Sequence, residues 1–322
     1  MSARSEWSIG EPRTLALDEP VSAVTVRIVG GTVNVVGTDS GEPARLEVSE
    51  LDGPPLTVTQ EGSVLTVTYD DLTRKGLFAW LDRRTWRDRR SWLDHRSWKR
   101  HAVVSVTVPA GSGVEVGVVG AAAFVSGVSG RTELRSVSGD STLVGLTGPV
   151  RAETVSGRLE AQSVTGDLRF QSVSGDLTVL DGSGTAVTAE TVSGNLALDL
   201  APVGAGPDIR LTTVSGEVAI RLPHPADATV TADTTSGALS NAFDDLRVTG
   251  QWGAKRITGT LGAGTGTLTA ATVSGAIALL RRPAAEDAGA PDGAGPHLDD
   301  GAAPAGPDGS GAPARPTDKK VL

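Results

Sequence analysis

No cysteine occurs in the 322 residues of this chain, which excludes a disulfide framework and any thiolate metal site. Aromatic residues make up only 3%, too few large side chains for the core of an ordinary sandwich or α/β enzyme. No run of seven apolar residues precedes Glu19, which argues against a secretory signal. No stretch approaches the roughly 18–20 apolar residues that span a bilayer. The expected location is the cytoplasm, or peripherally the inner face of the membrane. Catalytic motifs are missing too: there is no H-E-x-x-H, G-x-S-x-G, P-loop or G-x-G-x-x-G pattern. None of the four histidines, His95, His101, His224 and His297, lies in one of the V-[ST]-G-like repeat units described below. The many serines therefore have no nearby base in sequence to activate them. "LPHPAD", with His224 and Asp227, reads as a Pro-rich turn, and "GAGTG" at Gly262–Gly266 as a loop. The expectation is a non-enzyme without cofactor or metal.

What the chain does contain is glycine, 41 residues of it, set on a ruler. The segment "SVTGDLRFQSVSGDLTV", Ser163 to Val179, repeats itself after nine residues. Aligning V-[ST]-G-like units puts Gly130, Gly139, Gly148, Gly157, Gly166, Gly175 and Gly184 nine apart. The spacing then loosens to Gly194, Gly216, Gly237, Gly259 and Gly275. Two short strands per turn of about 18–22 residues fit this period, as in a solenoid. Around each Gly the even offsets are apolar: Val128, Val137, Leu146, Val155, Val164, Val173, Val192, Val214 and Val273 two before, and residues such as Leu159, Leu168 and Leu177 two after. Odd offsets are mostly Ser, Thr, Asp or Arg. This two-residue alternation is that of half-buried strands, whose apolar positions would stack into columns about 4.8 Å apart. The repeat glycines are expected to permit bends with φ > 0.

A Gly/Asp nonapeptide invites a calcium reading, but the residue after Gly varies and is Asp only at Asp140, Asp167 and Asp176. Structural turns and hydroxyl ladders account better for these residues. A carbohydrate-binding or carbohydrate-active groove is the rival, with those three carboxylates as its row; such sites bring clustered carboxylates together with aromatics.

The units V-S-G-[DENR]-[LIV]-x-[VL], preceded by short strands, resemble the bacterial adhesin-like, toastrack β-strand-repeat family of unknown biochemical function, over roughly Val21 to Leu280. The resemblance implies an all-β, single-stranded β-helix (β-solenoid) and a scaffold or sensing role at the cell envelope. The expected organisation is a β-solenoid domain over 1–280, with opening strands in 21–70 and regular repeats in 111–280. A Pro/Gly/Ala/Asp-rich tail, 281–322, has too little apolar surface to offset ordering and reads as disordered.

One stretch, 72–101, breaks the pattern. Trp80, Trp86, Trp92 and Trp98 stand six apart among Arg83, Arg84, Arg89, Arg90 and Arg100. From Arg74 to His101, ten Lys/Arg against three Asp give +7, so the rest of a chain of net charge −9 carries −16. Six-residue spacing forms no helical stripe. A solvated loop is one reading. Contact with an anionic membrane surface or an acidic protein is another, since Trp favours the headgroup interface and basic residues are drawn to anionic lipid. Single-stranded nucleic acid is a third, opposed by the acidic body. The segment could also dock on that body itself, and self-association stays open.

Overall fold

The computed structural model describes residues 4–70, 100–201, 206–251 and 253–282, and the elements set out among these residues are strands. Six precede the Trp-rich insert: β1 (Arg4–Ile9), β2 (Arg13–Ala16), β3 (Ala23–Thr38), β4 (Arg45–Asp52), β5 (Leu56–Glu61) and β6 (Val64–Tyr69). After it come β7 (His101–Pro109), β8 (Gly113–Ser126), β9 (Thr132–Ser136), β10 (Ser141–Val144), β11 (Val150–Thr154) and β12 (Leu159–Gln162). Then follow β13 (Leu168–Ser172), β14 (Leu177–Gly182), β15 (Ala186–Glu190), β16 (Leu196–Leu200), β17 (Asp208–Thr212) and β18 (Val218–Leu222). The last are β19 (Ala228–Thr234), β20 (Leu239–Asn241), β21 (Leu246–Gln251), β22 (Ala254–Leu261), β23 (Gly266–Thr272) and β24 (Ile277–Arg281). Two strands thus precede Val21. The expected disordered tail, beyond Arg282, and nearly all of the insert lie outside the described residues.

The chain winds as a flattened parallel β-solenoid with two faces. The first face stacks the N-terminal half of β8 on β9, β11, β13, β15 and β17. The second stacks the other half of β8 on β10, β12, β14, β16 and β18. Each coil runs along the first face, turns at an outgoing corner onto the second, and comes back through a return corner. Alternation puts one side of every strand inward. One inward column on the first face reads Val114, Thr132, Val150, Leu168, Val187 and Ile209; the next reads Val116, Leu134, Ala152, Phe170, Ala189 and Leu211. Phe170, fully buried, sits between Ala152 and Ala189, so large and small side chains interdigitate at constant coil spacing.

Antiparallel strands cap both faces at one end and the first face at the other. β3 spans both faces and carries β6, β5 and β1 on the first, and β7, β4 and β2 on the second. At the other end β22 and then β21 pair antiparallel onto β19, with Phe243 and Leu246 buried beneath. Such caps occupy the edges where another chain would otherwise pair.

The late coils do not stack in chain order. β23 lies between β17 and β19, and β24 between β18 and β20. Residues 266–281 therefore fill a place that the chain first skips. This corrects the sequential reading of Gly216, Gly237, Gly259 and Gly275. Gly259 sits in antiparallel β22, opposite Val230 and Leu246, and not at a corner. Near-identical rungs offer the same edge to any following rung, so the repeat pattern does not by itself fix this order.

Candidate functional site

The corners hold the serines, the glycines and Asp140, Asp167 and Asp176 that the repeat pattern singles out. At the outgoing corner each serine hydroxyl donates to the carbonyl of the corner valine, or its equivalent, one coil away: Ser138 to Val119, Ser156 to Val137, Ser174 to Val155, Ser193 to Val173, Ser215 to Val192, Ser274 to Val214 and Ser236 to Val273, at 3.0–3.4 Å. A second hydroxyl column lies just inside. Ser136, Ser172, Thr191, Thr213, Thr272 and Thr234 accept the N–H of the glycine three residues on, at 2.7–3.1 Å. These groups satisfy backbone that the sharp turn withdraws from the ladder.

The carboxylates are engaged in the same way. Asp140 accepts the N–H of Arg158, Asp176 that of Asn195, and Asn195 that of Glu217. Asp167 accepts from the Thr185 hydroxyl and the Ala186 N–H. The row proposed for a sugar groove is thus a set of coil-to-coil caps. Asp227 of "LPHPAD" takes the Thr265 hydroxyl at 2.6 Å and its N–H at 3.0 Å, bonds that hold its carboxyl below the usual range. It borders an apolar hollow at the return corner, lined by Val187, Leu200, Ile209 and Leu222, with no aromatic among its described lining.

Gly130, Gly139, Gly148, Gly157, Gly166, Gly175, Gly184, Gly194, Gly216, Gly237 and Gly275 fall into two ladders, and none of them has left-handed φ. The expectation of φ > 0 at these positions is therefore corrected. A Cβ at any of them would run into a backbone carbonyl oxygen one coil away, such as that of Gly157 for Gly175 or of Gly175 for Gly194. Glycine is required by close approach. The left-handed residues at the return corner include instead Gly127, Gly145, Ser163 and Asp181, each three positions before a ladder glycine.

A second correction concerns the valines. At the return corner Val128, Leu146 and Val164 point inward and are buried, as the alternation predicts. At the outgoing corner Val137 and Val155 are half-buried, while Val173, Val192, Val214 and Val273 are 52, 50, 45 and 49% exposed. The inward place there belongs to the preceding Ser or Thr, whose hydroxyl accepts the glycine N–H at every one of these corners except that of Thr154, so the valine turns out. The result is an apolar ridge along one corner.

The insert is rooted on that same corner. β6 ends at Tyr69 on the first face and β7 begins at His101 on the second, both against β3. Tyr69 is 1% exposed, and the Arg100 guanidinium carbon lies 5.0 Å from its ring centroid. A Cβ on Gly30 would meet the Arg100 carbonyl, which places this root directly under the outgoing corner of β3. Of the contact residues expected from sequence, Arg100 is described; Trp80, Arg83, Arg84, Trp86, Arg89, Arg90, Trp92 and Trp98 lie outside the described residues. The ridge, which the spacing alone did not reveal, is the feature sequence reasoning missed.

No curated protein matches the chain. Among solved structures it is similar to a "putative cell adhesion protein" from Clostridium sporogenes, at 10% identity over 84% of this chain and 100% of that one, with a TM-score of 0.29. A likeness at that score carries no argument. The family model of Toastrack DUF4097 matches residues 52–280, the whole run from the last opening strands through the final coil. With the coils from β8 onward, the two glycine ladders and the hydroxyl-lined corners inside that match, the chain belongs to the Toastrack DUF4097 family.

Proposed function

We propose that this protein is a non-enzymatic interaction scaffold, a rigid rod whose Trp/Arg-rich insert contacts an anionic surface. The observation that supports it is the division of labour between the two parts. Hydroxyls and carboxylates of the regular corners bond to neighbouring coils, while cationic and aromatic side chains concentrate in one segment rooted at a packed Tyr69–Arg100 anchor. Trp at the headgroup level and Arg near lipid phosphate favour a membrane with anionic lipid, each basic residue adding about 1 kcal/mol near the surface. The inner face of the membrane is the proposed location, and an acidic protein is the alternative surface. A sugar-binding reading is disfavoured because Asp140, Asp167 and Asp176 are already engaged.

Flotation with vesicles of mixed zwitterionic and anionic lipid tests this, comparing the full chain with a variant lacking 71–99. Binding that needs both the anionic lipid and the insert is expected. Equal flotation of both proteins, or of neither, would remove the membrane version.

A further inference from the structure

We infer that the outgoing corner is a docking surface for the chain's own residues 71–99. Four corner segments in successive coils make it: "QSVSGD" (171–176), "ETVSGN" (190–195), "TTVSGE" (212–217) and "ATVSGA" (271–276). Each presents one valine about half exposed. Their serines are already bonded to carbonyls, so the ridge can be covered without stranding a hydroxyl. The four segments hold Asp176, Glu190 and Glu217 and no Lys or Arg. This strip is apolar and acidic.

Residues 71–99 are its complement. Nine Lys/Arg against four Asp leave +5, with four Trp as well as Leu77, Phe78, Leu81 and Leu93. Both ends of the segment are fixed at the outgoing corner, and counting coils from that root puts Val173 fifth and Val273 eighth. At about 4.8 Å per coil these lie about 24 and 38 Å away. A 29-residue loop that goes out and returns reaches about 46 Å when extended. The ridge is within reach along its whole length. A second copy fits it poorly, because a strip about 14 Å long falls far short of the roughly 800 Å² per partner that stable association uses. A tethered segment needs much less area, since its effective concentration is on the order of millimolar.

The test uses the full chain without lipid, so its failure is separate from any failure of vesicle binding. A photoreactive benzophenone residue is placed at Val192, and in a control protein at Thr178 on the second face. After irradiation, crosslinks are mapped by mass spectrometry. Expected are crosslinks from position 192 into 71–99 within the monomer band, unchanged by tenfold dilution and absent from position 178. Glu190→Lys with Glu217→Lys should lower their yield about threefold, as expected for two reversed surface charges. No crosslink into 71–99, or one confined to a dimer band that fades on dilution, would overturn the proposal.

Discussion

Replacing Gly194 by Ala adds one methyl group at the most crowded kind of position in the solenoid. The new Cβ would lie 2.7 Å from the Gly175 carbonyl carbon, nearer still to its oxygen, and 2.8 Å from the Thr191 hydroxyl. None of these is the end of a flexible side chain, so the coils must part by about 1 Å to restore ordinary contact. Parting strains the Ser193 N–H to Val173 carbonyl bond of 2.9 Å between coils, and the Cβ pressing on Thr191 strains the Gly194 N–H to Thr191 bond of 3.1 Å within the coil. Overpacking at about 2 kcal/mol and weakened hydrogen bonds at about 1 kcal/mol together give a loss of about 3 kcal/mol. Two other corner glycines separate this cause from backbone conformation. Gly145 has nothing within 4 Å of where a Cβ would stand but a φ of +62°, so Gly145→Ala should cost only about 1 kcal/mol. Gly111 has open space and no left-handed φ, and Gly111→Ala should stay within about 0.5 kcal/mol of wild type. Urea denaturation followed by far-ultraviolet circular dichroism ranks the three. If Gly194→Ala costs no more than Gly145→Ala, close approach is not why the ladder is glycine.

Thr132 is 0% exposed in the column between Val114 and Val150, and its hydroxyl has no hydrogen-bond partner among the described residues. Thr132→Val should therefore raise stability by about 1 kcal/mol in the same urea assay. Asp199 is held below its ordinary pKa, first by the hydrogen bond from Arg221 and also by Arg282. A lowered folded-state pKa stabilises the fold above the unfolded-state value and loses that contribution as pH falls through the folded one. Asp199→Asn should accordingly melt lower than wild type at pH 7, with the gap closing below about pH 4. A melting temperature unmoved by millimolar calcium or by chelator is expected, because Asp140, Asp167 and Asp176 already accept hydrogen bonds between coils.

Much of the fold was legible because strand alternation and glycine spacing are local properties. Leu168 and Leu177 alternate with polar neighbours, and such a pattern has one way to be buried in a stack of coils. The two kinds of corner were harder, since V-S-G and V-T-G look alike. The residue before the valine separates them only in part: Ser or Thr precedes Val137, Val155, Val173, Val192, Val214 and Val273, and Gly precedes Val128 and Leu146, but Ser163 before Val164 reads like Ser172 and differs in its left-handed φ. A Ser or Thr that bonds the glycine N–H takes the inward place and turns the valine outward. Coil order was not legible, because the rungs ending at Gly216, Gly237 and Gly275 carry the same pattern and any of them fits the same edge. The insert's role stayed open for a different reason: its Trp spacing forms no helical stripe, and the single face it would form on an extended strand does not by itself say what it meets.

The corner ladders and the ridge both depend on parallel coils stacked in the order β17, β23, β19, and the absence of cysteine makes that order directly measurable. Arg210 pairs in register with Thr269, and Thr269 with Thr231, all facing outward. Neighbouring positions about 4.8 Å apart can be bridged by a disulfide, and positions two coils apart cannot. Under mild oxidation, Arg210→Cys with Thr269→Cys should form an intramolecular disulfide, while Arg210→Cys with Thr231→Cys should stay reduced. Rapid bridging of 210 to 231 and none of 210 to 269 would show coils wound in simple chain order and contradict the fold.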